Sequence, residues 1–374
     1  MTYEFMDGAE AIVRAALLSG CNFYAGYPIS PATKIHLQMM AALPDAGGIA
    51  IQGEDEIASV SLCIGAAMTG RKAMTATSGP GISLYSESIG LAIMGEVPLV
   101  IVDVQRMGPA TGGATTGAEG DIQFVRWPTS GGLPMVVLEP ASVASIFPVT
   151  VHAFNLAETL RTPVILLTSK HMALSKQTVD TDHVKLPSLQ QREYFDGSGD
   201  YIPYQWDRPF NIPKFLPMGS PRPVRVTGSM HDERGYLTKD PGKAKEKLLH
   251  LQKKITENGD RIETVALDLE QGADTLLIAY GVNASLCGEV VGSVRRRGKG
   301  CSMITIESLF PIPEKPLKSA LKGVRKVIVP ELNVGLYSDA IKPFLTQRQK
   351  LIPVLRFDGE PLSPDDVMNA GGLR

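Results

Sequence analysis

The chain has 374 residues, of which 44% are hydrophobic and 20% charged, and its formal net charge is −2. This is the profile of a globular chain with room for two or three domains. Near-neutral charge argues against a nucleic-acid footprint, and no uncharged apolar run reaches the roughly 18 residues that a membrane span needs.

The four cysteines, Cys21, Cys63, Cys287 and Cys301, are widely spaced. They make neither a CxxC pair nor a disulfide framework. The expectation is buried free thiols in a cytoplasmic protein, with no iron–sulfur cluster held by this chain alone. The N-terminal stretch carries Glu4 and Asp7 and does not read as a secretory signal.

In chain order, residues 8 to 20 place Ala9, Ile12, Val13, Ala16 and Leu17 at helical spacing, and Gly20 closes the helix. Cys21 to Ala25 reads as a short strand. It leads into the rigid turn Gly26-Tyr27-Pro28-Ile29-Ser30-Pro31. Pro31 suits the first position of the next helix and Ser30 its N-cap. Ile49 to Gln52 is a strand opening onto Gly53-Glu54-Asp55-Glu56. Three acids thus crowd the start of a helix made of small and apolar residues, among them Ala58, Ser59, Gly65, Ala66 and Ala67. Acids are favoured at a helix N-terminus, so a plain cap is one reading. A helix face that admits a flat ligand is the other. Ala73 to Thr77 is a strand running into the turn Ser78-Gly79-Pro80-Gly81, and Ser83 to Met94 is a further helix.

Pro98 to Val104 is mostly Leu, Val and Ile, broken by Asp103, which suits a buried parallel strand. It ends in Gln105-Arg106, where open α/β sheets place ligands. The loop Met107 to Gly120, rich in Gly, Thr and Pro, is long enough to suggest function. Met135 to Leu138, a helix from Ser142 to Leu160, and Pro163 to Leu167 continue the alternation. It predicts an α/β fold, a doubly wound parallel sheet over residues 1–175. Residues 176–260 read as an irregular linker region with a short strand over Arg222 to Thr227 and a charged helix over Lys243 to Asn258. Its polar knot, His231-Asp232-Glu233-Arg234-Gly235, reads as a loop network rather than a metal site. Residues 261–374 read as a second α/β domain. Its strands are Asp274–Ala279, Ser302–Ile306, Val327–Pro330 and Val354–Phe357. Its helices run from Asn283, as N-cap, to Arg295 and from Asn333 to Phe344. Walker A and GxGxxG motifs are absent.

Several motifs in register resemble one family. Gly26-Tyr27-Pro28-Ile29-Ser30-Pro31, Gly53-Glu54-Asp55-Glu56-Ile57-Ala58, Ala76-Thr77-Ser78-Gly79-Pro80-Gly81 and Val104-Gln105-Arg106-Met107-Gly108-Pro109 follow one another. With the His231–Gly235 knot and Val329-Pro330-Glu331-Leu332-Asn333, they resemble the alpha subunit of 2-oxoacid:ferredoxin oxidoreductases over nearly the whole chain. The resemblance implies a pyrimidine-binding domain for thiamine diphosphate, followed at the end of the chain by a domain like the transketolase C-terminal domain. It implies a beta subunit that carries Mg²⁺ with the diphosphate and a [4Fe–4S] cluster. Coenzyme A is the implied co-substrate. Ferredoxin is the implied electron acceptor, in an (αβ)₂ assembly to which gamma, delta or flavin subunits can add.

The resemblance also assigns residues. Glu56 matches the carboxylate that activates the cofactor's aminopyrimidine, with Glu54 and Asp55 as rivals if the register slips. Tyr27, Pro28, Ile29, Ser78, Gly79 and Pro80 match cofactor-binding positions. Arg106 matches a clamp for the substrate carboxylate, and Ser30 stands where the family's motif has threonine. No metal ligands are expected in this chain. The motif wording favours 2-oxoglutarate, with pyruvate, branched-chain and aryl 2-oxoacids as alternatives. Transfer of electrons to NAD through a flavin subunit and a non-catalytic scaffolding role are the competing readings.

Overall fold

The computed structural model describes residues 2–374. The chain begins with β1 (Tyr3–Asp7) and α1 (Gly8–Leu18). Strand and helix then alternate through β2 (Phe23–Gly26), α2 (Thr33–Asp45), β3 (Ile49–Gln52), α3 (Glu56–Met68) and β4 (Ala73–Thr77). Two short helices, α4 (Gly79–Leu84) and α5 (Ser86–Met94), precede β5 (Leu99–Gln105). After a long loop come α6 (Ile122–Arg126), β6 (Val136–Leu138), α7 (Val143–Leu160), β7 (Pro163–Ser169), α8 (Lys170–Leu174) and β8 (Lys176–Asp180).

A largely irregular segment leads to α9 (Pro241–Thr256) and α10 (Gly259–Ile262). The last part holds β9 (Val265–Asp268), β10 (Thr275–Ala279), α11 (Asn283–Arg296), β11 (Ser302–Ile306) and β12 (Ser308–Phe310). It closes with α12 (Glu314–Ala320), β13 (Lys326–Glu331), α13 (Leu336–Ile341), β14 (Lys350–Leu355) and α14 (Pro364–Gly371).

The strands form two large sheets and one small one. The first large sheet runs β12-β6-β7-β5-β4-β2-β3 and is parallel except for β12, which lies antiparallel on β6. The second runs β14-β13-β10-β11-β9, with β9 the antiparallel edge. β1 and β8 pair antiparallel and tie the chain start to the end of the first α/β unit.

β5 shows why the first sheet is covered on both faces. Leu99 and Ile101 join the core that includes α3 and α5, whereas Val100, Val102 and Val104 join the core under α1 and α7. This is the period-two alternation of a strand buried on both sides. It puts Asp103 on the same face as Leu99 and Ile101. α7 starts from a capping box made by Ser142 and Ser145. It is long and apolar enough to cross a membrane, but 72% of its apolar window is buried in this fold, which is the setting of a core helix.

Several expectations are corrected. Ser30 does not cap α2: the helix starts at Thr33 from Ala32, with no side-chain cap. Asn283 is the first residue of α11, whose N-cap is Val282. The region 222–227 forms no strand. The helix expected over Ser83–Met94 is two helices that meet at Tyr85. The helix expected from Asn333 begins at Leu336. The Asn333 side chain accepts from the Gly335 and Leu336 N–H groups at 2.8 Å each, and Gly335 takes a φ of +99°, so the chain turns before it coils. The last strand ends at Leu355, earlier than Phe357.

Candidate active site

The three acids at the start of α3 stand in different places. Asp55 is the N-cap: its carboxylate accepts from the Ala58 N–H at 2.7 Å. Glu54 is exposed and borders a cavity of about 860 Å³ along the small-residue face of α3, with Ala58, Leu62, Gly65 and Ala66. Glu56 is the first helical residue, half-buried, and turns toward the loop after β4. A Cβ added to Gly81 would sit 3.0 Å from Glu56 Cγ, 3.3 Å from its Oε1 and 2.0 Å from Thr77 Oγ1. Glycine at 81 is therefore what allows the Glu56 carboxylate to lie against this turn. The Thr77 and Ser78 hydroxyls beside it are buried and have no hydrogen-bond partner.

Arg106, at the end of β5, is 5% exposed. Its Nη1 donates to the Ser30 carbonyl at 2.7 Å and its Nη2 to the Thr111 carbonyl at 3.0 Å. Its side chain also packs against Gly79, where an added Cβ would lie 3.6 Å from Arg106 Cγ. Its Nε is buried with no partner. A guanidinium has five N–H donors. The two backbone bonds therefore leave donors for a carboxylate while they tie the 26–31 turn to the 107–120 loop.

The structure thus brings together Glu56, the Ser78–Gly81 turn, Arg106 and the Ser30 backbone. The Ser30 side chain, Tyr27 and Pro28 are exposed and Ile29 is half-buried, so they form a rim joined to the site through the Ser30 carbonyl. His36 lies behind this rim, with Tyr24 Oη at 3.4 Å from Nδ1 and Gln52 Oε1 at 3.4 Å from Nε2. Burial lowers its pKa, so it is neutral at pH 7.

Sequence reasoning missed a set of buried acids at the C-terminal edge of the first sheet. Asp103, Glu119 and Glu139 are at most 1% exposed, and each has a carboxylate oxygen without a partner. Burial pushes the Glu119 carboxyl up to about 8, with the Glu331 charge adding to it and Ser169 opposing. Burial pushes Asp121 up to about 6, against the pull of Arg106. Asp103 and Glu139 are held well above the usual range by burial, then by neighbouring acids. Glu331, from the second sheet, accepts from the Tyr337 and Ser338 N–H groups at 2.8 and 2.9 Å. The one signal in the sequence was Asp103, a lone acid in an apolar strand.

The His231 knot is a loop network. His231 Nδ1 lies 2.7 Å from the Ser229 carbonyl, the ring packs 4.1 Å from Tyr204, and Asp232 accepts from the Arg234 and Tyr236 N–H groups. Burial lowers His231 to about 4. Among the described residues, no group of three or more His, Cys, Asp or Glu side chains is arranged to hold a metal. All four cysteines are free and buried.

The first α/β unit is an open, mostly parallel sheet with a carboxylate, an arginine and a glycine-rich turn at its carboxyl edge, where such sheets place ligands. Residues 14–247 match the family model "Pyruvate flavodoxin/ferredoxin oxidoreductase, thiamine diP-bdg". Residues 273–367 match "Pyruvate:ferredoxin oxidoreductase core domain II". The chain belongs to the pyruvate flavodoxin/ferredoxin oxidoreductase family. It is 36% identical to 2-oxoglutarate synthase subunit KorA of Methanothermobacter marburgensis, over 99% of this chain and 98% of that protein. Among solved structures it is similar to the 2-oxoglutarate:ferredoxin oxidoreductase of Magnetococcus marinus, with TM-score 0.91 and 31% identity. That match covers 98% of this chain and 64% of the other. A transketolase from Campylobacter jejuni subsp. jejuni shares the fold, with TM-score 0.53 and 15% identity, over 99% of this chain and 45% of the other.

Proposed function

We propose that this chain is the alpha subunit of an enzyme that oxidatively decarboxylates 2-oxoglutarate with coenzyme A, forming succinyl-CoA and CO₂ and reducing ferredoxin. The observation that carries this is that the Glu56 carboxylate lies against Gly81 while Arg106, with a buried, unpaired N–H, packs against Gly79 of the same segment. The residues fit the aminopyrimidine of thiamine diphosphate. Glycine at 81 lets the Glu56 carboxylate lie against the turn, where it can meet a ring N–H, and the Ser78 and Thr77 hydroxyls lack partners. When bound, the cofactor supplies the electron sink for decarboxylation.

In this reading Arg106 pairs with the substrate carboxylate through donors that its two backbone bonds leave over. Tyr27, Pro28, Ile29 and Pro80 contact the cofactor, and Ser30 the substrate. The beta subunit brings Mg²⁺, the diphosphate site and the [4Fe–4S] cluster. The assembly is (αβ)₂ in the cytoplasm. The two relatives named for 2-oxoglutarate support the substrate.

The test is to purify the chain with its partner and screen 2-oxoacids with coenzyme A and a viologen dye. 2-Oxoglutarate should give the highest kcat/KM. A preference for pyruvate would overturn the substrate, and inactivity toward every 2-oxoacid would overturn the reaction.

A further inference from the structure

Glu56 has company on its buried side. Thr75 and Thr77 are alternate residues of β4 and point to one face of the strand. Tyr85, fully buried where α4 meets α5, lies over that face, with its hydroxyl 2.8 Å from Thr75 Oγ1. Thr77 Oγ1 is buried without a partner, 2.0 Å from the position a Gly81 Cβ would take. Glu56 Oε1 is 3.3 Å from the same position. An unpartnered buried hydroxyl is costly, so it persists where it has a task or a ligand to meet. Burial holds the Tyr85 phenol protonated, and the Glu56 charge acts in the same direction. Tyr85 is therefore a donor throughout the working pH range.

We propose that Thr77 and Tyr85 are positioning residues for Glu56. A line of hydroxyls from Thr75 through Tyr85 to Thr77 leads to the space beside its carboxylate that Gly81 leaves by having no side chain, with the Thr77 hydroxyl free to donate to it. A half-buried glutamate at the first turn of a helix has free χ angles. The hydroxyl line confines it so that one oxygen faces the ring nitrogen of the cofactor. This rests on the assignment of Glu56 above.

The experiment uses the complex with the partner subunit. Two readouts are taken: hydrogen–deuterium exchange at C2 of bound thiamine diphosphate, and the ¹³C carboxyl resonance of Glu56 in the cofactor-free complex, assigned by its loss in Glu56→Gln. Thr77→Val and Tyr85→Phe should each slow exchange by about tenfold or more, within the range of a positioned acid–base contribution. Each should also shift the Glu56 resonance, and Thr77→Ser should restore both readouts. Gly81→Ala should slow exchange as well, because its methyl takes the space of the carboxylate.

Wild-type exchange and an unmoved resonance in Thr77→Val and Tyr85→Phe, with slow exchange in Glu56→Gln, would overturn the positioning role and leave Glu56 standing. Wild-type exchange in Glu56→Gln would overturn the assignment of Glu56 itself, and the proposal with it. If Tyr85→Phe does not fold, the Thr77→Val and Thr77→Ser pair decides alone.

Discussion

Arg106 combines two duties in one side chain. Its two backbone bonds, to Ser30 and Thr111, make it a tether between two segments, and its unpaired Nε makes it a candidate for substrate. Arg106→Lys separates the two, because an ammonium cannot pair with a carboxylate bidentately. The expected result is a loss in kcat/KM for the 2-oxoacid of about tenfold or more, the scale of one charge-assisted hydrogen bond. Thiamine diphosphate affinity should change little. An unchanged kcat/KM with a lowered melting temperature would leave Arg106 as a tether alone. Glu56 and Glu54 make the same kind of pair: equal chemistry two residues apart, one turned to the Gly81 turn and one to the open cavity. Their Gln variants should therefore differ, with Glu56→Gln slow and Glu54→Gln near wild type in cofactor C2 exchange.

At the scale of elements, the start of α3 matters more than its length. Asp55 fixes where the helix begins, and Glu56 follows at once, so the cap also fixes where the carboxylate stands. Asp55→Ala should destabilise the fold by about 1 kcal/mol, the usual cost of losing such a cap. It should lower kcat less than Glu56→Gln does, because the carboxylate remains but is less well held. Calorimetry and steady-state rates check both parts, and an unchanged melting temperature would show that the cap contributes nothing. The 107–120 loop is likewise held at named points. Arg106 grips Thr111, Lys170 donates to the Thr115 carbonyl, and the Glu119 N–H donates to the carbonyl of Leu332, just after β13, at 2.9 Å. The loop therefore links the site to the last α/β unit.

At the scale of the whole molecule, two of the buried charged clusters have opposite chemistry. Glu96 is fully paired, with Lys247 at 2.6 Å and His250 and Lys254 at 2.9 Å, which seats α9 on the first sheet's unit. Burial works against its charge, but the two ammoniums and His250 outweigh it and hold Glu96 well below the usual carboxylate range. The Asp103, Glu119, Asp121 and Glu139 set has only Arg106, which acts on Asp121, and burial holds the set up instead. A carboxyl whose folded pKa is raised keeps a proton that the unfolded chain has released. Its stabilising contribution is full below the unfolded value and is lost as pH rises through about 6 for Asp121 and about 8 for Glu119. The melting temperature should therefore fall between about pH 5 and about 8, the window set by the Asp121 and Glu119 values. Glu119→Gln, neutral at every pH, should flatten the step near 8. An equal slope in wild type and variant would remove Glu119 from this account.

Much of this protein was legible in local pattern. The apolar run of β5, the helical spacing of α1 and the glycine–proline turns after β2 and β4 each act over a few residues, where period and backbone preference decide. The motifs around Glu56, Ser78 and Arg106 lie at strand ends for the same reason, so their meeting at one sheet edge was open to inference. Other features depended on docking between segments far apart in the chain. β12 crosses to pair with β6, Glu331 comes to face Glu119, and Thr77 comes beside Glu56 where Gly81 has no side chain. A local period cannot encode these, because they follow from how two sheets and their helices fit together in three dimensions. Which of three neighbouring acids caps the helix and which faces the turn was decided there too, by the direction in which α3 leaves its sheet.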